Sequence, residues 1–343
     1  MQCLTMAWSN LFENPPKYRY QYIAGFDSLR FLAFFAIFLF HNNHFSEGYW
    51  GVDFFFTLSS FLLTFLAFRE YKTNGSFSIN NFFMRRALRI YPLYYLTVFT
   101  SFCIFPLFFA FSLPGQSWKY WFFLSNFDYS DKFFPLQFLW SISVEEQFYL
   151  LFMILSPFFL RKIYPVILFF LIVFLVYSLA AITMDLPFYK TLFAQFPLFA
   201  SGMWLGYRFS NNNLPSWIWS VVFFVAGFSG YLFFSTLLPD IKIVPGKFFF
   251  SFVFSGLILA ILHLNNSSLF FTLSRLTDFL GRYTYGLYVY SGFVILAFNI
   301  LFPDDNTLPI FAGKFVTTLM VAIISYHVWE KPFLNLKDKL TKN

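Results

Sequence analysis

Long apolar runs, separated by short polar segments, set the pattern of this chain. Ten of these runs have about 17–25 residues, the length that an α-helix needs to cross the hydrocarbon core of a membrane. The pattern therefore predicts an all-α integral membrane protein with about ten transmembrane helices. Their predicted ranges are 23–45, 51–68, 90–111, 136–159, 163–182, 191–208, 216–236, 248–264, 283–302 and 311–329.

The composition supports the membrane assignment. Hydrophobic residues make up 59% of the 343 residues and charged residues only 11%, whereas about a quarter of the residues in a soluble globular protein are charged. We expect one polytopic domain over residues 1–343, with a polar leader over 1–22 and a polar tail over 330–343.

The positive charges indicate which way the helices run. The net charge of +7 comes from cations in the segments between the apolar runs, so it favours membrane topology over nucleic-acid binding. With both termini inside, sixteen Lys and Arg residues lie on the inner side, six lie on the outer side, and Arg30 lies within a span. Because inner loops are enriched in Lys and Arg, both termini are predicted to be cytoplasmic.

Two polar groups interrupt the first predicted span. Arg30 and His41 are separated by ten apolar residues. Eleven helical steps make about three turns, which places both side chains on one face, about 16 Å apart along the axis. A membrane helix tolerates such groups when their face is turned away from lipid.

Two carboxylates fall at a depth similar to that of His41. Asp53 opens the second span and Glu145 lies in the outer part of the fourth. An imidazole and two carboxylates at one level indicate a general base with orienting partners, although a structural ion-pair network uses the same groups. A metal site built from His41, His44 and a carboxylate is compatible with the spacing, but no further ligand motif is present and no metal is predicted.

An arginine cluster precedes the third predicted span. Arg85, Arg86 and Arg89 fit the ordinary anchoring of a cytoplasmic helix end. Arg86 and Arg89 are also three residues apart on one helix face, and the planar guanidinium group suits bidentate binding of phosphate. Both interpretations are open at this point.

Seven segments, in this order, resemble motifs of the acyltransferase 3 family of multi-pass bacterial membrane acyltransferases. They are DSLR at 27–30 followed by His41, GVDFF at 51–55, SSF at 59–61, RRALRIYP at 85–92, LWSISVEEQFY at 139–149, GRYTYGLY at 281–288 and EKPF at 330–333.

The resemblance implies transfer of an acyl group, usually acetyl, from cytoplasmic acyl-CoA to a hydroxyl of a cell-surface or exported glycan or glycolipid. It places the protein in the bacterial cytoplasmic (inner) membrane. It implies essential roles for Arg30 and His41, and the paired arginines of the family correspond to Arg86 and Arg89. The conserved acids of the family correspond to Asp53 and Glu145.

The chain departs from the family pattern at three positions. Ser28 and Ser60 replace the usual glycines, so looser helix contacts are expected there. Ser291 stands where the family usually has a histidine. This departure is compatible with an altered acceptor or with a catalytically weakened relative.

The mechanism that follows has donor phosphates on Arg85, Arg86 and Arg89 and the thioester near His41. His41 acts as general base for the acceptor hydroxyl, and Asp53 or Glu145 orients its imidazole. The expected oxyanion donors are Trp140, Ser143 and Gln147.

Two alternatives to this mechanism stay open. A covalent acyl-His41 intermediate uses the same residues. A transporter or flippase for a lipid-linked glycan also uses buried Arg, His and acidic groups, although the sequence shows no two halves with matching interrupted spans.

Overall fold

The computed structural model describes residues 23, 25–104, 116–128, 136–264, 268–303 and 307–341. The predicted leader over 1–22, residues 105–111 of the third predicted span and the last two residues of the tail lie outside these ranges. Within them, all regular secondary structure is helical, which confirms the predicted class. The α-helices are α1 (Phe26–His41), α2 (Trp50–Asn74), α3 (Ile79–Phe99), α4 (Trp118–Trp121), α5 (Leu139–Phe159), α6 (Ile163–Met184), α7 (Phe196–Ser210), α8 (Ile218–Leu237), α9 (Ile243–Leu264), α10 (Ser268–Gly281), α11 (Thr284–Leu301), α12 (Leu308–Ser325) and α13 (Lys331–Leu340).

Eight helical stretches in the described part of the chain are long and apolar enough to cross a membrane. The first and sixth predicted spans correspond to shorter helices, because α1 has 16 residues and α7 has 15. At 1.5 Å per residue each is about 24 Å long or less, short of the roughly 30 Å of a hydrocarbon core. The count of ten spans and the cytoplasmic termini therefore remain predictions.

Helices α2 and α7 form the most extensive helix pair of the bundle. Their contact depends on Gly202 and Gly206, which are four residues apart on α7. A Cβ atom at Gly202 would lie 2.0 Å from the Ser60 hydroxyl and 2.2 Å from the Thr57 carbonyl oxygen. Small residues at this spacing allow two membrane helices to approach closely. Ser60 is thus tightly packed, and the expectation of a looser contact there is wrong.

Helix α10 holds the beginning of α1. The Asp278 carboxylate accepts the backbone N–H of Ser28 at 2.8 Å and that of Gly25 at 3.2 Å, and the Ser28 hydroxyl donates to it at 2.6 Å. A carboxylate at this end satisfies backbone N–H groups that have no partner within the helix. The looser contact expected at Ser28 is also wrong, because its hydroxyl bonds to α10.

Helix α3 begins eleven residues before the third predicted span. Ser78 caps it by accepting the backbone N–H of Asn81 at 3.3 Å. Arg85, Arg86 and Arg89 therefore lie within the helix and do not precede it. The apolar run begins only at residue 90, because the preceding turns of the helix carry polar and charged side chains.

Two lysines predicted for outer loops are buried in helices instead. Lys247 lies in α9 and Lys314 in α12, and each is 2% exposed. The amine of Lys314 donates to the Asn299 side chain at 2.9 Å, and Lys247 pairs with Asp53.

The end of the chain packs against α3. A π-helical turn, Tyr326–Glu330, joins α12 to α13, so part of the predicted polar tail is helical. The Trp329 indole donates to the Pro92 carbonyl at 3.0 Å, and the Tyr285 hydroxyl donates to the Ile90 carbonyl at 2.8 Å. These bonds tie α11 and the π-helical turn to the helix that carries the arginines.

Candidate functional site

A cavity of about 120 Å³ opens inside the bundle. Its walls come from α1, α2, α3, α5 and the region where α10 meets α11. Three arginines, Arg30, Arg86 and Arg89, and the carboxylate of Glu145 line it. Four of the residues predicted from the sequence, on three different helices, therefore meet at one place.

Two of the cavity arginines have free hydrogen-bonding capacity. Among the described residues, neither Arg86 nor Arg89 makes an ion pair, and the buried Nε of Arg86 has no hydrogen-bond partner. The Arg86 guanidinium lies 5.9 Å from the Phe82 ring centroid and 5.8 Å from that of Tyr149. Guanidinium groups with unused donors in a cavity suit a planar or phosphate anion.

Arg30 and Arg85 are paired differently. Arg30 lines the cavity but binds Asp27, with Nη1 2.6 Å from Oδ1. Arg85 binds Glu70 at 2.9 Å, and it is absent from the cavity wall. Of the three arginines predicted to form one donor cluster, the structure brings together Arg86 and Arg89 and directs Arg85 to the end of α2.

Glu145 is held by two hydroxyl groups. Ser59 on α2 and Tyr149, one turn further along α5, both donate to its Oε1 atom. These bonds fix the carboxylate on the cavity wall. The neighbouring Glu146 is 6% exposed, and its Oε2 accepts the Tyr91 hydroxyl at 3.3 Å.

His41 ends α1 and lies beside the cavity, one side chain away from its wall. The imidazole centroid is 4.1 Å from that of Phe138, in an edge-to-face arrangement. Phe138 in turn contacts Tyr288, which lines the cavity and donates its hydroxyl to the Phe138 carbonyl at 2.9 Å. Within the described ranges, no hydrogen bond fixes the imidazole.

The structure does not bring Asp53 to His41. Asp53 is 1% exposed and its Oδ1 lies 2.5 Å from the Lys247 amine, which also stands 4.3 Å from the Tyr189 ring centroid. Burial, with the Asp53 charge beside it, raises the pKa of Tyr189, so its phenol stays neutral. The structural ion-pair alternative therefore describes the surroundings of Asp53. Glu145 bonds to Ser59 and Tyr149, and in the described part of the chain it makes no hydrogen bond to His41.

The residues expected to stabilise an oxyanion have other partners. The Ser143 hydroxyl lies 2.7 Å from that of Ser125, and the Gln147 amide donates to Asn126 at 2.8 Å. The Trp140 ring packs 5.2 Å from that of Tyr189. The hydroxyls that do line the cavity near Phe138 are those of Ser141 and Tyr288, which lie 2.8 Å apart.

Sequence reasoning missed several of these residues for identifiable reasons. Tyr149 is four residues after Glu145, so helical spacing alone places it beside that carboxylate. Lys247 gives no such signal, because it lies at the edge of an apolar run, where the pattern predicts a loop.

Two further sequence expectations concern residues outside the cavity. Ser291 is buried in α11, where its hydroxyl donates to the Tyr288 carbonyl of the preceding turn at 2.8 Å. His44 packs edge-on against Phe311 at 4.7 Å. No group of three or more His, Cys, Asp or Glu residues in the described segments is arranged to hold a metal ion.

Comparison with known proteins gives one family and several relatives. The model of a family described as an acyltransferase domain matches residues 23–327. The chain is 34% identical to the O-acetyltransferase OatA of Staphylococcus aureus over 166 residues, which are 43% of this chain and 27% of that protein. It is also 34% identical to the peptidoglycan O-acetyltransferase OatA of Listeria monocytogenes over 152 residues, 39% of this chain and 24% of that one.

The chain spans from about a quarter to about half of the length of the relatives it matches. The longest of these alignments is with YrhL of Bacillus subtilis, 26% identical over 355 residues, which covers 91% of this chain and 55% of that protein. No solved structure matches the chain.

Proposed function

The chain belongs to the acyltransferase 3 family, whose model matches most of its length, and from that premise we propose that it acetylates hydroxyl groups of a cell-surface glycan in the bacterial cytoplasmic membrane. The observation that carries the proposal is the cavity in which Arg86 and Arg89 meet Glu145 and Arg30. Relatives named as peptidoglycan O-acetyltransferases favour peptidoglycan as the acceptor.

The donor in this proposal is acetyl-CoA that enters from the cytoplasm. Its phosphates are anionic, and the free guanidinium donors of Arg86 and Arg89 supply charge-assisted hydrogen bonds. Arg89 is more accessible than Arg86, so the pair leads from the surface of the bundle into the cavity. Glu145 keeps part of the arginine charge balanced when the donor is absent.

The acceptor hydroxyl in this proposal meets the thioester at the His41 end of the cavity. The imidazole takes the hydroxyl proton while the hydroxyl oxygen bonds to the thioester carbonyl carbon. The carbon–sulfur bond then breaks, and the imidazolium returns the proton to the CoA sulfur. A positioned base contributes about 10²–10⁴-fold to such a step.

Phe138 has a specific part in this scheme. Its ring touches the imidazole and its backbone carbonyl accepts the Tyr288 hydroxyl. The thioester therefore has to come past Phe138 to reach His41, and the hydroxyls of Ser141 and Tyr288 flank that route. Both hydroxyls donate to the Phe138 carbonyl in this structure. In this scheme the entering thioester displaces those bonds, and Ser141 and Tyr288 then replace Trp140, Ser143 and Gln147 as the candidate donors to the oxyanion.

Acetyl transfer by the purified chain tests this function. The chain in lipid nanodiscs is incubated with radiolabelled acetyl-CoA and a soluble peptidoglycan disaccharide. We expect the label to appear in the disaccharide as an alkali-labile ester. Absence of labelled ester from a folded, acetyl-CoA-binding preparation would contradict the proposal, and glycan movement across proteoliposomes without a donor would favour the transporter alternative.

A further inference from the structure

Unpaired buried polar atoms are concentrated in the segment that follows His41. Within the described residues, Asn42 Oδ1, Glu47 Oε2 and Trp50 Nε1 are shielded from solvent and have no hydrogen-bond partner. Native proteins leave few buried polar groups unsatisfied, and each such group calls for an explanation. Three of them within nine residues point to a ligand that supplies the missing partners.

This segment is held firmly beside the imidazole. The Phe40 ring lies 5.1 Å from that of His41 and 5.8 Å from that of Tyr49. A Cβ atom at Gly48 would lie only 2.0 Å from the Ala36 carbonyl oxygen, so the connection folds back tightly onto α1. Groups on this connection are therefore near any acceptor that approaches His41 from this end of the helix.

An aromatic wall supports the same segment. The Tyr49 ring lies 5.9 Å from that of Tyr189. The Trp50 ring lies 5.3 Å from Tyr231 and 4.4 Å from Phe250. Tyr49 and Trp50 themselves are only half-buried. Aromatic faces fixed by neighbouring rings, with a few polar groups among them, are typical of small-ligand sites.

The chemistry of these groups matches a sugar. A sugar hydroxyl donates one hydrogen bond and accepts others, and a carboxylate oxygen and an indole N–H together satisfy both directions. The C–H face of a sugar ring packs on an aromatic ring. Burial raises the pKa of Tyr49, so its phenol is neutral, and its hydroxyl lies beside the side chains of Glu47, Trp50 and Tyr231.

We propose that Glu47, Tyr49 and Trp50 form the subsite that binds the acceptor glycan and presents its hydroxyl to His41. This rests on the proposed function and adds an acceptor site on the side of His41 away from the arginines. Glu47 accepts a sugar hydroxyl, Trp50 donates to a sugar oxygen, and Asn42 offers a further acceptor.

Two conservative variants test the subsite. Glu47→Gln removes the charge with little change in size, and Trp50→Phe removes the indole N–H and retains an aromatic ring. Each is assayed in nanodiscs at saturating acetyl-CoA with increasing concentrations of the soluble peptidoglycan disaccharide. Because Glu47→Gln weakens a hydrogen bond to a charged group, we expect a tenfold or larger rise in the apparent KM for the disaccharide. A rise of several-fold is expected with Trp50→Phe.

Matched controls separate the subsite from general damage. Asp240→Asn removes an exposed carboxylate, and Trp217→Phe changes a tryptophan that is 62% exposed. Both controls should keep the unmodified KM for the disaccharide. The apparent KM for acetyl-CoA should change less than twofold in all four variants, because the donor arginines are untouched.

The outcomes distinguish this inference from the function on which it rests. An unmodified chain that makes no acetylated disaccharide overturns the proposed function. An active chain in which Glu47→Gln and Trp50→Phe both keep the original disaccharide KM overturns the subsite alone. If one variant fails to fold, as shown by lost acetyl-CoA binding, the other decides the question.

Discussion

The amine of Lys247 on α9 lies 2.5 Å from the Asp53 carboxylate on α2, and neither side chain is more than 2% exposed. Two buried charges this close compensate each other in an environment where each alone is costly. The pair joins α2, which carries Ser59, to α9, which contains no residue predicted from the sequence to belong to the site. We therefore expect Asp53 to act on the position of α2 and to affect the chemistry only indirectly.

Breaking this ion pair should destabilise the protein, and removing both charges should largely restore its stability. Lys247→Met leaves Asp53 as an uncompensated buried charge, with an expected cost of about 3–5 kcal/mol. Thermal unfolding in detergent should show a lowered midpoint for Lys247→Met. The Lys247→Met/Asp53→Asn double variant should recover most of the loss.

The exposed Lys162→Met is the matched control and should unfold like the unmodified chain. Acetyl transfer should recover together with stability in the double variant. A double variant that is stable but inactive would show that Asp53 takes part in the reaction.

The arginines of α3 should differ in their effect on the donor. Arg86→Ala and Arg89→Ala each remove a guanidinium from the cavity, and loss of a charge-assisted contact predicts a tenfold or greater rise in the apparent KM for acetyl-CoA. Arg85→Ala breaks the pair with Glu70 outside the cavity, so it should change that KM less than threefold. Equal rises in this KM for all three variants would mean that the arginines anchor the helix end at the membrane surface or attract the donor only through their combined charge.

The contact between α2 and α7 should be intolerant of one added methyl group. Gly202→Ala places a Cβ atom against the Thr57 carbonyl and the Ser60 hydroxyl, and overpacking of this kind costs about 1–3 kcal/mol. Gly246→Ala on α9 is the control, since the nearest atom would be 3.5 Å away. It should unfold at an unchanged or higher temperature. Similar midpoints for Gly202→Ala and the unmodified chain would contradict the tight contact.

Apolar run lengths were enough to predict the helical class and most of the membrane helices. They failed at the ends of α3 and α9, where arginine or lysine side chains continue the helix because other helices supply their partners. A single sequence does not show those partners, because Glu70 is 15 residues from Arg85 and Asp53 is 194 residues from Lys247. Boundaries set by hydrophobicity alone therefore excluded the charged turns that carry part of the site.

The sequence predicts which residues form the candidate site better than it predicts how they are arranged. Arg30, Arg86, Arg89 and Glu145 do meet in one cavity. The predicted depth of His41, Asp53 and Glu145 was similar, but depth says nothing about direction around a helix axis. Phe138 separates the imidazole from the cavity wall, and a phenylalanine in a chain with 60 of them gave no signal.

A pair of histidine variants tests whether His41 is the general base. His41→Ala and His44→Ala are purified in nanodiscs, checked for acetyl-CoA binding, and assayed for transfer of labelled acetyl groups to the peptidoglycan disaccharide. His41→Ala should bind acetyl-CoA normally and lose about 10²–10⁴-fold in transfer rate, while His44→Ala should stay within twofold of the unmodified chain. Transfer by His41→Ala at the unmodified rate would show that His41 is not the general base.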